Sequence, residues 1–114
     1  MYPKTIAKRV VSAATSKKAE DIKVFKISKK SDIADYLIIT TSRSDVQTKA
    51  IIDEIHKSLK KKVKPFNVED AKGWTLIDMG SVIVNIFEEP YRTFYQLEVL
   101  WADCPEVKIG NENH

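Results

Sequence analysis

The stretch Trp74-Thr75-Leu76-Ile77-Asp78-Met79-Gly80-Ser81-Val82-Ile83-Val84-Asn85-Ile86-Phe87 carries the most structural information in the chain. Thr75–Asp78 and Val82–Phe87 are rich in β-branched and aromatic residues, which suit a pleated surface. Between them, Asp78-Met79-Gly80-Ser81 supplies a turn in which Gly80 is free to take positive φ, so the segment reads as a β-hairpin. From Glu88 the period becomes helical. Tyr91, Phe94, Tyr95, Leu97, Val99, Leu100 and Trp101 recur at three- and four-residue spacings, predicting one helix that Pro105 prevents from continuing. Pro90 fits its first turn, and Glu88 and Glu89 complement the positive N-terminus. Packing of this kind, with few groups able to do acid–base work, points first to a binding module.

Toward the N-terminus, residues 4–18 repeat apolar positions at Ile6, Val10, Val11, Ala13 and Ala14, an amphipathic helix. Ile22–Ile27 alternates as a strand. Tyr36–Thr41 is a continuous apolar and β-branched run, expected to be a central strand covered on both faces. Ser44 or Asp45 caps a helix whose core stripe reads Val46, Ala50, Ile51, Ile55, Ser58 and Leu59. Val63–Val68 is a short strand in which Pro65 marks a sheet edge or a strand start, and Glu69 to Trp74 reads as a loop. The order α-β-β-α-β-β-β-α implies an α/β (α+β) domain with a mixed sheet flanked by helices. Tyr36–Val68 is expected to make a right-handed crossover joining a parallel strand pair.

The 114 residues are enough for one domain with a real core, taken as 1–109 with a polar tail at 110–114. The net charge of +3 permits contact with nucleic acid but does not argue for it, because acids and bases are interspersed. A single cysteine, Cys104, excludes a disulfide framework and a multi-cysteine zinc site. No apolar run approaches the ~20 residues that span a bilayer, and no secretory core opens the chain, so no membrane partner and a cytoplasmic location are expected.

Two blocks resemble a known family. A Trp leading a strand, an Asp-x-Gly turn, an apolar strand and a helix reading Arg92-x-x-Tyr95-x-Leu97-Glu98-x-Leu100-Trp101 are similar to the ribosomal silencing factor, or Iojap, family. Ser31-Asp32-Ile33-Ala34-Asp35-Tyr36, running into the strand that ends at Ser42, is similar to the family's second signature. The chain departs from the family pattern at Ser81 and Asn85, where the family usually has Asp and His. The resemblance implies a five-stranded mixed sheet of nucleotidyltransferase-like kinship. It also implies a non-enzymatic translation repressor, a homodimer, that binds the large ribosomal subunit through ribosomal protein fourteen and blocks joining with the small subunit. Trp74 and Met79 match positions of the family's gripping surface; Asp78 would add charge complementarity to a basic partner, and Leu76 and Ser81 complete the implied partner-binding set.

The kinship raises an enzyme or nucleotide-binding alternative. Gly80-Ser81 resembles a triphosphate-holding turn, but Val82–Phe87 contains neither Asp nor Glu to hold the two metals such transfer needs, so no catalytic residue and no cofactor are assigned. Asp32 and Asp35 read as turn-capping acids, His56 as a solvated or edge-of-core side chain, and Cys104 as a structural thiol; no metal ligand set is assigned. Lys57, Lys60, Lys61, Lys62 and Lys64 form the strongest charge run. Lys60, Lys61 and Lys62 are candidate contacts to ribosomal RNA phosphates; the competing reading is a helix C-terminus and edge strand kept soluble by cations. No aromatics are interleaved for base stacking, so a general RNA-binding module stays a third reading without specific readout.

Overall fold

Nine elements are seen in a computed structural model, which describes residues 1–59 and 61–109. They are α1 (Pro3–Ser16), β1 (Glu20–Lys26), β2 (Tyr36–Ser42), α2 (Asp45–Leu59), β3 (Asn67–Ala71), β4 (Trp74–Asp78), β5 (Val82–Glu88), α3 (Glu89–Tyr95) and α4 (Leu97–Leu100). The expected tail at 110–114 lies outside the described residues. One mixed five-stranded sheet has the order β1-β2-β5-β4-β3, as the α+β reading requires.

The parallel pair is β2 with β5, not β2 with the strand that follows α2. That following strand, β3, runs at the far edge, separated from β2 by β5 and β4. The reason is local: β3, β4 and β5 are joined by tight turns and zip together as antiparallel neighbours, which leaves β5 to meet β2. β3 also begins later than Val63. Val63 is itself buried, while Asn67–Ala71, expected in part as a loop, forms the strand and turns back through Lys72 and Gly73.

Alternation along the strands sorts side chains into two layers. On one face, Val24, Tyr36, Ile38, Ile77, Val82, Val84 and Ile86 pack against Ile6, Val10 and Val11 of α1 and Ile51, Ile55 and Leu59 of α2. The α2 stripe is Thr48-Ile51-Ile55-Leu59; Val46, expected in it, is 78% exposed because it lies about 200° around the helix from Thr48. Ser44 does cap α2, its hydroxyl accepting the Gln47 N–H at 3.1 Å. Every residue of β2 is buried, as the continuous apolar run predicted. Its hydroxyls are satisfied: Thr40 donates to the Glu20 carbonyl and Ser42 pairs with Thr48.

On the other face, Phe25, Ile27, Leu37, Ile39 and Phe87 pack beneath Trp74, Tyr91, Tyr95, Leu97 and Trp101. The expected single C-terminal helix is broken here. Gln96 takes a left-handed conformation at φ 52, ending α3 and starting α4. Arg92 explains the break: its Nε donates to Glu98 Oε1 at 2.8 Å, six residues on, a pair that an unbroken helix would hold apart. Arg92 is almost fully buried and also reaches the Asp21 carbonyl and the Thr41 hydroxyl, so it ties the helices to β1 and β2. The hydrogen bond from Arg92 holds the Glu98 carboxyl below its ordinary range, with Lys23 assisting.

Candidate functional site on the open sheet face

The layer formed by α3 and α4 is shorter than the one formed by α1 and α2, so part of the second face stays open. β4 turns Trp74, Leu76 and Asp78 onto it, and the register sets Leu76 beside Asn85 and Asp78 beside Ile83 of β5. On the other side, Ala71, Glu69 and Asn67 of β3 stand opposite Trp74, Leu76 and Asp78. Leu76, Asp78 and Ile83 are half-buried, and all of β3 is exposed. A shallow depression of about 150 Å³ lies among Glu69, Asp70, Ala71, Trp74 and Leu76.

Trp74 anchors this surface. Its ring packs at 5.1 Å from Phe87 and 4.8 Å from Tyr95, measured between centroids. Its indole N–H donates to Asn85 Oδ1 at 3.0 Å, and Asn85 in turn donates to the Ile38 carbonyl at 3.3 Å. Trp74 therefore joins the aromatic core to the open surface and belongs to both. Gly73, just before it, is left-handed at φ +69, and the Tyr91 ring lies so close over it that a Cβ there would run into the ring.

Met79 is different. It is only 2% exposed and lies in the aliphatic core with Ile77, so its side chain is not part of the open surface. Trp74 and Met79 are five positions apart on one extended segment, an odd number, and strand alternation sends them to opposite faces. Asp78 Oδ1 accepts the Gly80 N–H at 2.9 Å, and Gly80 takes φ +77, as the turn reading required. Ser81, beside that turn, accepts the Asp35 and Tyr36 N–H groups at its carbonyl and holds the preceding loop in place. In that loop the Ser31 hydroxyl, rather than either aspartate, accepts the Ile33 N–H.

Glu69 was not anticipated. The segment Asn67-Val-Glu-Asp-Ala has low β propensity, and only the Lys72-Gly73 dipeptide before Trp74 signalled a two-residue hairpin turn. With Asp78, Glu69 makes the open region acidic within a chain of net charge +3, while the Asp70 carboxylate lies toward the other face and accepts the Thr75 hydroxyl at 2.9 Å. Lys61 and Lys62 are exposed just beyond α2, on a different part of the chain, and Lys60 lies outside the described residues.

A second cleft, about 350 Å³, opens where β5 ends and α2 begins, the region where a nucleotide would be sought in such a sheet. Asp45, Asp70 and Glu88 line it, and its Lys49 is engaged by Asp45 at 3.2 Å. Phosphates would meet carboxylates there. His56 packs edge-on against Phe66 at 5.1 Å, and Cys104 is a free, half-buried thiol. Among the described residues, no group of three or more His, Cys, Asp or Glu is placed to hold a metal ion, and no helix is long and apolar enough to cross a membrane.

Comparison with known proteins converges on one family. The family model described as ribosomal silencing factor during starvation matches residues 2–114. The chain is 37% identical over 108 residues to the ribosomal silencing factor RsfS of Bacillus subtilis, covering 92% of each. Against a chloroplastic Iojap protein of Arabidopsis thaliana it is 31% identical over 109 residues, which cover 94% of this chain and 46% of that one. Among solved structures, a Chromobacterium violaceum protein superposes with a TM-score of 0.77 at 26% identity, covering 98% of this chain and 97% of that one.

Proposed function

This chain belongs to the ribosomal silencing factor family, and on that premise we propose that it represses translation by docking on the large ribosomal subunit through ribosomal protein fourteen. Bound there, it occupies space that the small subunit needs. The mechanism is steric and requires affinity and bulk, with no bond made or broken. One observation carries this reading: the half-open sheet face where Trp74, Leu76 and Ile83 offer apolar area beside Glu69 and Asp78. An apolar centre with a charged rim suits a protein partner, and carboxylates select a basic one. Ser81 stands at the margin, and the exposed Lys61 and Lys62 supply auxiliary contacts to ribosomal RNA phosphates.

A second surface supports the homodimer in the same proposal. Phe94, Val99 and Leu100 on α3 and α4 are 74%, 69% and 59% exposed, large apolar side chains left uncovered on these two helices. The working compartment in this reading is the cytoplasm.

Sucrose-gradient sedimentation tests the function. The protein is expected to co-migrate with isolated large subunits and, in excess, to reduce the fraction joined with small subunits. Co-migration with neither subunit and an unchanged joined fraction would contradict it.

A further inference from the structure

The two edges of the sheet are finished differently. Along β1 the segment Pro105–Val107 lies as an added partial strand: the Lys26 N–H donates to the Pro105 carbonyl at 2.9 Å and the Val107 N–H to the Val24 carbonyl at 2.7 Å. β1 also carries an irregularity between Glu20 and Lys23, with Asp21 at positive φ. Bulges and covering segments are the usual ways a sheet edge is closed to other chains. β3 has neither. It is the outermost strand, its register with β4 is unbroken over its whole length, and every residue is exposed.

Hydrogen-bond parity shows which of its backbone groups are unspent. The Glu88 N–H donates to the Gly73 carbonyl and the Met79 N–H to the Val82 carbonyl, so the odd-numbered residues of β4 and its flanks direct their polar groups toward β5. Trp74, Leu76 and Asp78 therefore bond across to Ala71, Glu69 and Asn67. Val68 and Asp70 are left with N–H and C=O groups aimed away from the sheet, without a backbone partner among the described residues.

We propose that this edge accepts an extended lysine- or arginine-bearing segment of a partner protein as an added strand. The proposal deepens the docking reading above and rests on it: the added strand would widen the open face beside Leu76. Charge selects the occupant. Glu69 and Asp70 stand on the strand and Asp78 beside it, so pairing with a second copy would set carboxylates against carboxylates, and RNA phosphates would be repelled. A basic strand meets opposite charge while its main chain satisfies Val68 and Asp70.

The test uses the full-length protein and isolated large subunits as the probe. Val68→Pro deletes one outward N–H that the fold does not use, a position where an edge strand tolerates proline. The variant is expected to melt close to wild type and to bind at least about tenfold more weakly, with Glu69→Lys weakened in the same direction. Amide exchange on wild type gives a readout independent of any variant's folding: the 67–71 amides should be slowed when large subunits are added. Unchanged exchange there overturns the added strand, as does a folded Val68→Pro that binds like wild type; docking through the open face then survives if Leu76→Asp abolishes binding. Wild type failing to bind large subunits overturns the docking reading and the added strand together. Self-association of the wild type that Val68→Pro removes assigns the edge to a second copy and overturns the proposal.

Discussion

The two faces of the sheet are made by the same strands and do different work. The face under α1 and α2 is aliphatic and closed: Ile38, Ile77, Val82 and Val84 are entirely buried. The face under α3 and α4 is aromatic and closed only at one end, where Phe87, Trp74 and Tyr95 stack. One hairpin feeds both, so neighbouring residues have opposite roles. Thr75, Ile77 and Met79 hold the fold, while Trp74, Leu76 and Asp78 reach the surface that we assign to docking. Completing both layers would give a more stable domain with nothing to offer a partner.

The largest expected effect breaks the closed face. Met79→Ala removes a fully buried side chain and should cost about 3 kcal/mol of stability, lowering the melting temperature by about 10 °C, as thermal denaturation would show. The fraction that remains folded should bind large subunits normally. Reduced affinity with an unchanged melting temperature would move Met79 from the core to the interface.

Trp74→Phe probes the seam between the faces. The ring stacking largely survives, but the buried Asn85 Oδ1 loses its indole donor, at a cost of about 1–2 kcal/mol. Trp74→Phe, Asn85→Ala and the double variant should show coupling in denaturant melts, and strict additivity would mean that the hydrogen bond contributes nothing.

A smaller effect concerns how α3 and α4 are held. Glu98 is charged more readily in the folded chain than in the unfolded one because Arg92 hydrogen-bonds it. Its contribution is fully present above the ordinary carboxylate value of 4.5 and is lost as pH falls through the lowered folded value. Glu98→Gln should therefore melt below wild type at neutral pH, the gap closing in acid. A gap that is constant with pH would show that the charge of Glu98 is not what pins the helices. Smallest of all, Lys61→Ala with Lys62→Ala should leave stability unchanged and flatten the salt dependence of subunit binding slightly, because each is an exposed charge.

How much of this was legible follows from the kind of signal each element carries. β2 and β5 are written in continuous β-branched and apolar runs, and Gly80 marks its turn, so these were readable. β3 was not, because its polar residues form a strand only by pairing with β4 on one side. The break at Gln96 is hidden because the apolar spacing continues across it; what the break permits is the Arg92–Glu98 pair, at a six-residue spacing that helical periodicity does not signal. At the site, the sequence marks the hairpin, but size and apolarity group Trp74 with Met79, which strand parity separates. Asn85 stands out in the sequence only as a departure from the family pattern, whereas the structure makes it the hydrogen-bond partner of Trp74.

If docking affinity resides in the open face, Leu76→Asp is the substitution that should remove it. Leu76 is half-buried on β4, outside both sealed cores, so a charge there should leave the fold close to wild type. Melting temperature and co-sedimentation with isolated large subunits are measured on the same samples. Near-wild-type melting is expected, with binding weakened by about 2 kcal/mol or more, roughly thirtyfold. A folded Leu76→Asp that binds like wild type, while the Lys61→Ala and Lys62→Ala pair abolishes binding, would contradict it and give the interface to the lysines.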